Sequence, residues 1–285
     1  MNFVPMLDLM KKAWGNGYAV PSFCAWNADV MQAVLNVSQR LSAPVIIMNG
    51  PSEFSLMTPA VMGSVARAVA EKYCVKAALH LDHGDSINQV KQCINAKYTS
   101  VMLDFSSRPF EENAKAIYEV VCLAHPNGIT VEGEIGAVGK VDSTTSEGGC
   151  SSTLTNPDEA SRYVKETGVD VLAISIGNAH GNYTKLPQLD FNRLAAIHKA
   201  VDIPLVLHGG SGTPDEDIQM AISLGIAKVN VATDLVNAVR ESLINQWQSG
   251  QNHWVPAARI EAMREVEKVV ENWIHRTGAE GKAEA

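Results

Sequence analysis

Several short apolar runs in this sequence end in residues able to do chemistry. Asp82 closes the run 77–82 with His83 directly after it, and Asp104 stands near the end of 100–105. Glu132 and Glu134 lie late in 129–135, and His180 follows 171–176 by a few residues. His208-Gly209-Gly210-Ser211 ends 204–209, and Asn230-Val231-Ala232-Thr233 ends 228–233. One histidine at such a place is more often a hydrogen-bonded structural residue. Three of them, His83, His180 and His208, with acids between, suit a catalytic Zn²⁺ that keeps one coordination position open. That position could take a carbonyl oxygen and polarise it. Asp82 adjoins a proposed ligand, so its carboxyl reaches the group the metal holds, as a general acid/base must. Its plainer role is a helix cap or a partner of His83. The histidines form no short zinc motif, so the reading depends on a fold that gathers these ends.

The turn His208–Gly212 leaves backbone N–H groups free to approach an anion. So does Asn230–Thr233, which opens the next helix with a hydroxyl. Either turn alone could be only a tight strand–helix connection.

The elements that must position these residues alternate. Runs 18–23, 44–49, 77–82, 100–105, 129–135, 171–176, 204–209 and 228–233 read as strands, several nearly all apolar, as parallel strands buried on both faces are. Between them the period changes. Val30, Val34, Val37 and Leu41 lie on one helical face, and 60–70, 87–96 and 114–123 are compatible with helices. Asn156-Pro157 is a helix start, with a capping residue before proline. Eight strand–helix units predict a closed (β/α)8 barrel, an α/β fold whose active site lies at the C-terminal ends of the strands. In that fold the loops after the seventh and eighth strands commonly hold phosphate. An open doubly wound sheet is the alternative, but no G-x-G-x-x-G follows the first strand. A helix near 5–14 precedes the barrel. A last helix over 256–276 carries Ile260, Met263, Val266, Val270 and Trp273 on one stripe, which must pack on the barrel or on another subunit. The whole chain, 1–285, reads as one domain with 276–285 as a frayed tail.

Composition narrows the function classes. The 285 residues are 46% hydrophobic and 19% charged, which argues against disorder. A net charge of −8 does not favour a nucleic acid or an anionic membrane as partner. No apolar run approaches the roughly 20 residues of a membrane helix, and no signal peptide is expected. Five cysteines form no C-x-x-C pair, so reduced thiols in a cytoplasmic protein are the expectation.

Five segments together carry a resemblance: Leu81-Asp-His-Gly84, Val131-Glu-Gly-Glu-Ile-Gly136, Ile176-Gly-Asn-Ala-His-Gly181, Pro204-Leu-Val-Leu-His-Gly-Gly-Ser-Gly212 and Lys228-Val-Asn-Val-Ala-Thr233. In combination and order they resemble the class II fructose/tagatose-bisphosphate aldolases over about residues 5–280, and the last is most similar to the tagatose-type branch. The resemblance implies a barrel, a Zn²⁺ on His83, His180 and His208, and Asp82 as the acid/base on the aldehyde oxygen. It implies dihydroxyacetone phosphate held by Gly181, Gly209, Gly210, Ser211 and Asn230, Val231, Ala232 and Thr233. Asp104 and Glu134 match acidic positions behind the ligands or at an alternate metal position. Lys185 resembles a lysine of some relatives, one residue out of register. It also implies a monovalent cation, Na⁺ or K⁺, and assembly as a homodimer or homotetramer. The implied reaction is reversible cleavage of a ketose 1-phosphate, such as tagatose or fructose 1,6-bisphosphate, to dihydroxyacetone phosphate and an aldehyde.

The departures gather on the aldehyde side. Relatives have Phe-Asn after the first strand where this chain has Phe23-Cys24. They read Asp-x-Ser-His where this chain has Asp104-Phe-Ser-Ser107-Arg108. The loop that carries their proposed C3 proton base matches Gly139-Lys-Val-Asp142-Ser143, which makes Asp142 the candidate, with Glu147 behind it. Arg259 and Arg264 are near the place of a far-phosphate arginine without a clear match. Arg108 suits an anionic tail such as a sulfonate, giving 6-deoxy-6-sulfofructose 1-phosphate as an alternative substrate. Its plainer role is a solvated loop residue. A zinc hydrolase and a non-catalytic accessory subunit of an aldolase complex are the competing function classes. The complete set of ligands and Asp82 argues against a dead site.

Overall fold

The structure is a computed structural model that describes residues 3–141, 152–183, 185–250 and 254–283. Eight parallel strands close a barrel ringed by helices. In chain order the strands are β1 (Val20–Cys24), β2 (Val45–Asn49), β3 (Ala77–Gly84), β4 (Ser100–Leu103), β5 (Thr130–Ile135), β6 (Gly139–Lys140), β7 (Val171–Ile174), β8 (Ala179–His180), β9 (Leu205–Leu207) and β10 (Ile226–Val231). The barrel runs β1-β10-β9-β7-β5-β4-β3-β2, while β6 and β8 form a separate parallel pair. Every residue of the eight barrel strands is buried, which is why several of their sequences read as nearly continuous apolar runs.

The helix Met6–Ala13 closes the N-terminal end of the barrel. Val4 N–H donates to Ala77 O and Leu7 N–H to Thr130 Oγ1, both at strand starts. The opposite end is left for the site. Asn156 caps its helix as its sequence predicts, its Oδ1 accepting the Asp158 and Glu159 N–H groups at 2.8 and 3.3 Å. Among the described residues no helix is long and apolar enough to cross a membrane.

Three expectations need correction. The last strand starts at Ile226, so Lys228 sits inside it rather than at its beginning. The final helix, Val255–Arg276, does pack on the barrel's helices, but its buried stripe is Ala258, Ala262, Val266, Val270 and Trp273. Ile260 faces outward at 61% exposure, because alanines permit the closer helix approach. The segment after the helix is not frayed through Ala283. Gly281 N–H donates to Leu41 O, Ala283 N–H to Ser42 O, and Ala279 is buried. The β6–β8 pair, two residues in each strand, had no signal in the sequence.

Candidate active site

The C-terminal ends of the strands bring His83, His180 and His208 face to edge. Their ring centroids are 5.0 Å (83–180), 4.6 Å (83–208) and 5.6 Å (180–208) apart. One nitrogen from each lies within 4.8 Å of the others. His83 ends β3 at φ 46°, a left-handed conformation that side chains other than glycine rarely adopt. Its Nδ1 meets Asp104 Oδ2 at 2.8 Å, and Asp104 is itself fixed by the Ser106 N–H and hydroxyl. His208 Nε2 meets Glu132 Oε1 at 2.9 Å. The opposite nitrogens, His83 Nε2 and His208 Nδ1, are buried without a hydrogen-bond partner. A carboxylate on the far nitrogen of an imidazole is the arrangement that orients a metal ligand. The donor set therefore fits a divalent cation.

Glu132 escaped the sequence reading as His208's partner. The signal was present, because the alternation in Val131-Glu-Gly-Glu134 turns both acids to one face of β5. Its other oxygen accepts from Lys228 Nζ at 2.7 Å, and Lys228 lies 3.5 Å from His80 Nε2. All three are fully buried inside the barrel. Burial opposes ionisation of Glu132, but Lys228 and His208 outweigh it and hold its pKa at about 2.

Asp82 stands at the edge of this interior cluster. Asn230 Nδ2 donates to its two oxygens at 3.0 and 3.3 Å, and His80 Nε2 is 3.5 Å away. Burial raises its pKa, yet His83, His80 and Lys228 together hold it well below the usual carboxylate range. Asp82 is thus an oriented carboxylate, about 4.0 Å from His83 Nε2. Glu134 behaves oppositely. Burial and neighbouring Asp104 push it up to about 8, and its Oε2 is buried without a hydrogen-bond partner 3.5 Å from His208 Nδ1. His83, Asp104 and Glu134 present a second set of donor atoms within 4.8 Å.

Beside the histidines, His180, Gly181, Gly209, Ser211, Asn230, Ala232 and Thr233 line one small cavity. Gly209 has φ 65°, and a Cβ there would stand 2.0 Å from Ala179 O, so no side chain fits this turn. Tyr183, absent from the sequence-derived set, pins the turn. Its hydroxyl meets Ala179 N and O at 2.8 and 2.9 Å and Gly209 O at 3.2 Å. The helix Thr233–Gln248 opens at the cavity, where backbone N–H groups favour an anion. Two expected members face elsewhere. Gly210 N–H donates to Asn230 O at 3.0 Å, and Val231 is a buried strand residue paired with Phe23.

The remaining candidates scatter. Lys185 is exposed outside the cavity. Arg108 lies 3.8 Å over the Phe105 ring and 3.8 Å from Glu112, half exposed. Arg259 pairs with Asp29 and Arg264 with Glu261. Asp142 and Glu147 lie outside the described residues. Glu53 is an addition, at the rim after β2. Its Oε2 accepts the Gly50 N–H at 2.7 Å, and Cys24 Sγ donates to its Oε1 at 3.8 Å.

A parallel barrel with three convergent imidazoles, an oriented carboxylate and a glycine-walled anion cavity at one rim defines a metal-binding enzyme of the aldolase type. The profile described as fructose-bisphosphate aldolase class-II matches residues 4–282, and the chain belongs to that family. It is similar to the YdjI aldolase of Escherichia coli K12, at 33% identity and a TM-score of 0.88 over 99% of both chains. It is also similar to a candidate fructose-1,6-bisphosphate aldolase from Coccidioides immitis, at 28% identity and a TM-score of 0.86 over 98% of each. The fructose-bisphosphate aldolase of Campylobacter jejuni shares the fold at 21% identity, with a TM-score of 0.79 over 99% of this chain and 97% of that one.

Proposed function

We propose that the protein is a zinc-dependent aldolase of the tagatose-type branch that reversibly cleaves a ketose 1-phosphate to dihydroxyacetone phosphate and an aldehyde. The observation that carries this reading is the meeting, at His180, of the three-imidazole cluster and the glycine-walled cavity. Three imidazole nitrogen donors with room for a further ligand suit Zn²⁺. When bound there, the cation supplies Lewis-acid polarisation of the ketose carbonyl.

The chain's own residues do the rest. Backbone N–H groups of Gly209, Ser211 and the Ala232–Thr233 turn, with the Ser211 and Thr233 hydroxyls, hold the 1-phosphate. Asp82, kept ionised and oriented by Asn230, takes the C4 hydroxyl proton as the C3–C4 bond breaks and returns it in condensation. The C3 proton needs a second base, and Asp142 is the candidate. The segment leading to it starts at the rim, where Val141 N–H donates to His180 O at 2.9 Å. Lys228 is committed to Glu132 within the barrel, which is unlike a lysine presented to a carbonyl substrate.

The test is release of dihydroxyacetone phosphate from a panel of ketose 1-phosphates. The panel holds fructose and tagatose 1,6-bisphosphates, the 1-phosphates and 6-deoxy-6-sulfofructose 1-phosphate, each assayed in sodium and in potassium. Release that is abolished by a chelator, restored by Zn²⁺ and at least about 100-fold weaker in Asp82→Ala supports the proposal. No release from any of them, with the cation bound, favours an accessory subunit. Homodimeric or homotetrameric assembly belongs to the same proposal. Sedimentation equilibrium checks it, and a monomer at micromolar concentration rejects it.

A further inference from the structure

The barrel order sets where the two halves of a ketose 1-phosphate lie. The phosphate cavity belongs to the ends of β8, β9 and β10, and Asp82, late in β3 and flanked by β2 and β4, adjoins it through Asn230. With the phosphate in that cavity and the scissile bond at Asp82, the remaining carbons run over the loops after β2 and β4. The loop after β2 carries Glu53, and the loop after β4 carries Arg108 together with Asp104, which is bonded to His83.

After β4, Arg108 is stacked on Phe105, half exposed and turned toward Glu112. After β2, Glu53 is half-buried and fixed in place. Its two oxygens take the Gly50 N–H and the Cys24 thiol. The segment packs closely on β3, since a Cβ at Gly50 would stand 2.7 Å from the Asp82 backbone O. Burial raises the Glu53 pKa, and the Asp82 carboxylate adds to that rise. A carboxylate offers about four lone-pair sites, so two contacts leave acceptor capacity for a ligand.

We propose that Glu53 selects the aldehyde: its carboxyl accepts hydroxyl hydrogens from the departing fragment and disfavours an anionic tail, so the aldehyde is a neutral polyhydroxy aldehyde. This rests on the aldolase reading above and narrows it. Hydroxyl groups make charge-assisted hydrogen bonds to a fixed carboxylate. A phosphate or sulfonate in the same place meets like charge, and specificity is set by that repulsion as much as by the attraction. Asp82 nearby adds to the negative field that an anionic tail would face.

The experiment separates the two claims. First, the zinc-loaded protein is given dihydroxyacetone phosphate in D₂O, and exchange at C3 is followed by NMR. This half-reaction needs no aldehyde. Condensation is then measured with glyceraldehyde against glyceraldehyde 3-phosphate, and with erythrose against erythrose 4-phosphate. The protein is expected to favour the neutral member of each pair by about tenfold or more in kcat/KM. Glu53→Gln keeps an oxygen for the Gly50 N–H and removes only the charge. It is expected to shrink that ratio about fivefold or more, chiefly through the aldehyde KM. Glu53→Lys is expected to reverse the preference, a change that a merely structural role would not produce. Preference for the phosphorylated aldehydes, or the same ratio in the protein and both variants, overturns the inference while leaving the aldolase reading intact. Absence of C3 exchange together with no cleavage across the ketose panel overturns the aldolase reading, and this inference with it.

Discussion

His83 holds a backbone conformation that costs on the order of 1–3 kcal/mol for a residue with a side chain. The Asp104 bond and the packing of three imidazoles keep it there. The acids around it titrate in opposite directions, and this gives the protein freed of metal a definite pH response. Glu134 is pushed up to about 8, so between the unfolded and folded values the native state holds a proton that the unfolded chain has lost. Its contribution therefore falls as pH rises. Burial alone would lower His83, but Asp82, Asp104 and Glu134 outweigh it and hold the imidazole well above its usual value. The stability this adds is present below the unfolded value and is lost as pH rises through the folded one. Both groups act in the same direction. The chelator-stripped protein is expected to lose thermal stability as pH rises from about 7 to about 9, whereas between about 5 and 7 the buried His80, His180 and His208, whose pKa values are lowered by burial, act the other way. Glu134→Gln is expected to recover about 5 °C of that loss near pH 9 and little near pH 5. Thermal scans of both proteins across that range check this, and parallel curves would refute it. Such a response was not legible in the sequence. The histidines and Asp82 could be found from their places at strand ends, whereas the partners that set their charge come from other strands. Glu53 was hidden for a related reason, since its contacts are Gly50 and Cys24 and neither motif nor period marks it.

At the scale of elements, β10 joins stability to the site. Lys228 is fully buried with its ammonium 2.7 Å from Glu132, whose other oxygen orients His208. Breaking a buried pair by removing one partner strands the other charge and costs about 3–5 kcal/mol. Lys228→Met is expected to destabilise the protein by about that much, and adding Glu132→Gln to recover part of it. Urea denaturation of the single and double variants checks this. A double variant no more stable than Lys228→Met would show that the pair is not the unit that matters. The strands themselves were largely legible because burial on both faces leaves long apolar runs. Their ends were less so. The run 204–209 yields only Leu205–Leu207, since Gly209 turns into the left-handed region, and β10 begins two residues before the run read from Lys228. The last helix was found by its period, with Val266, Val270 and Trp273 buried and Met263 against the core, but its buried stripe opens on small alanines while the larger Ile260 lies outside.

At the scale of the molecule, the barrel closes where its first and last strands meet. Val20 to Phe23 pair with Lys228 to Val231, so Asn230 lies beside Ser22 at the seam. The helix Val255–Arg276 lies along that seam, with Asn36 donating to Glu267 and Trp273 Nε1 donating to Asp234 at 2.8 Å. Thr277 O accepts from Ala19 N–H, just ahead of β1. These contacts impose an order of events on the ribosome. His83, His180 and His208 are all synthesised before β10, yet the wall that orients Asp82 is translated only afterwards, and the helix over the seam later still. Until then β1 presents an unpaired edge of the kind that invites pairing with other chains. A released chain ending near residue 220 would carry the three imidazoles without β10 to close the barrel. A divalent cation would meet three imidazoles before Asn230 was there to hold the Asp82 carboxylate.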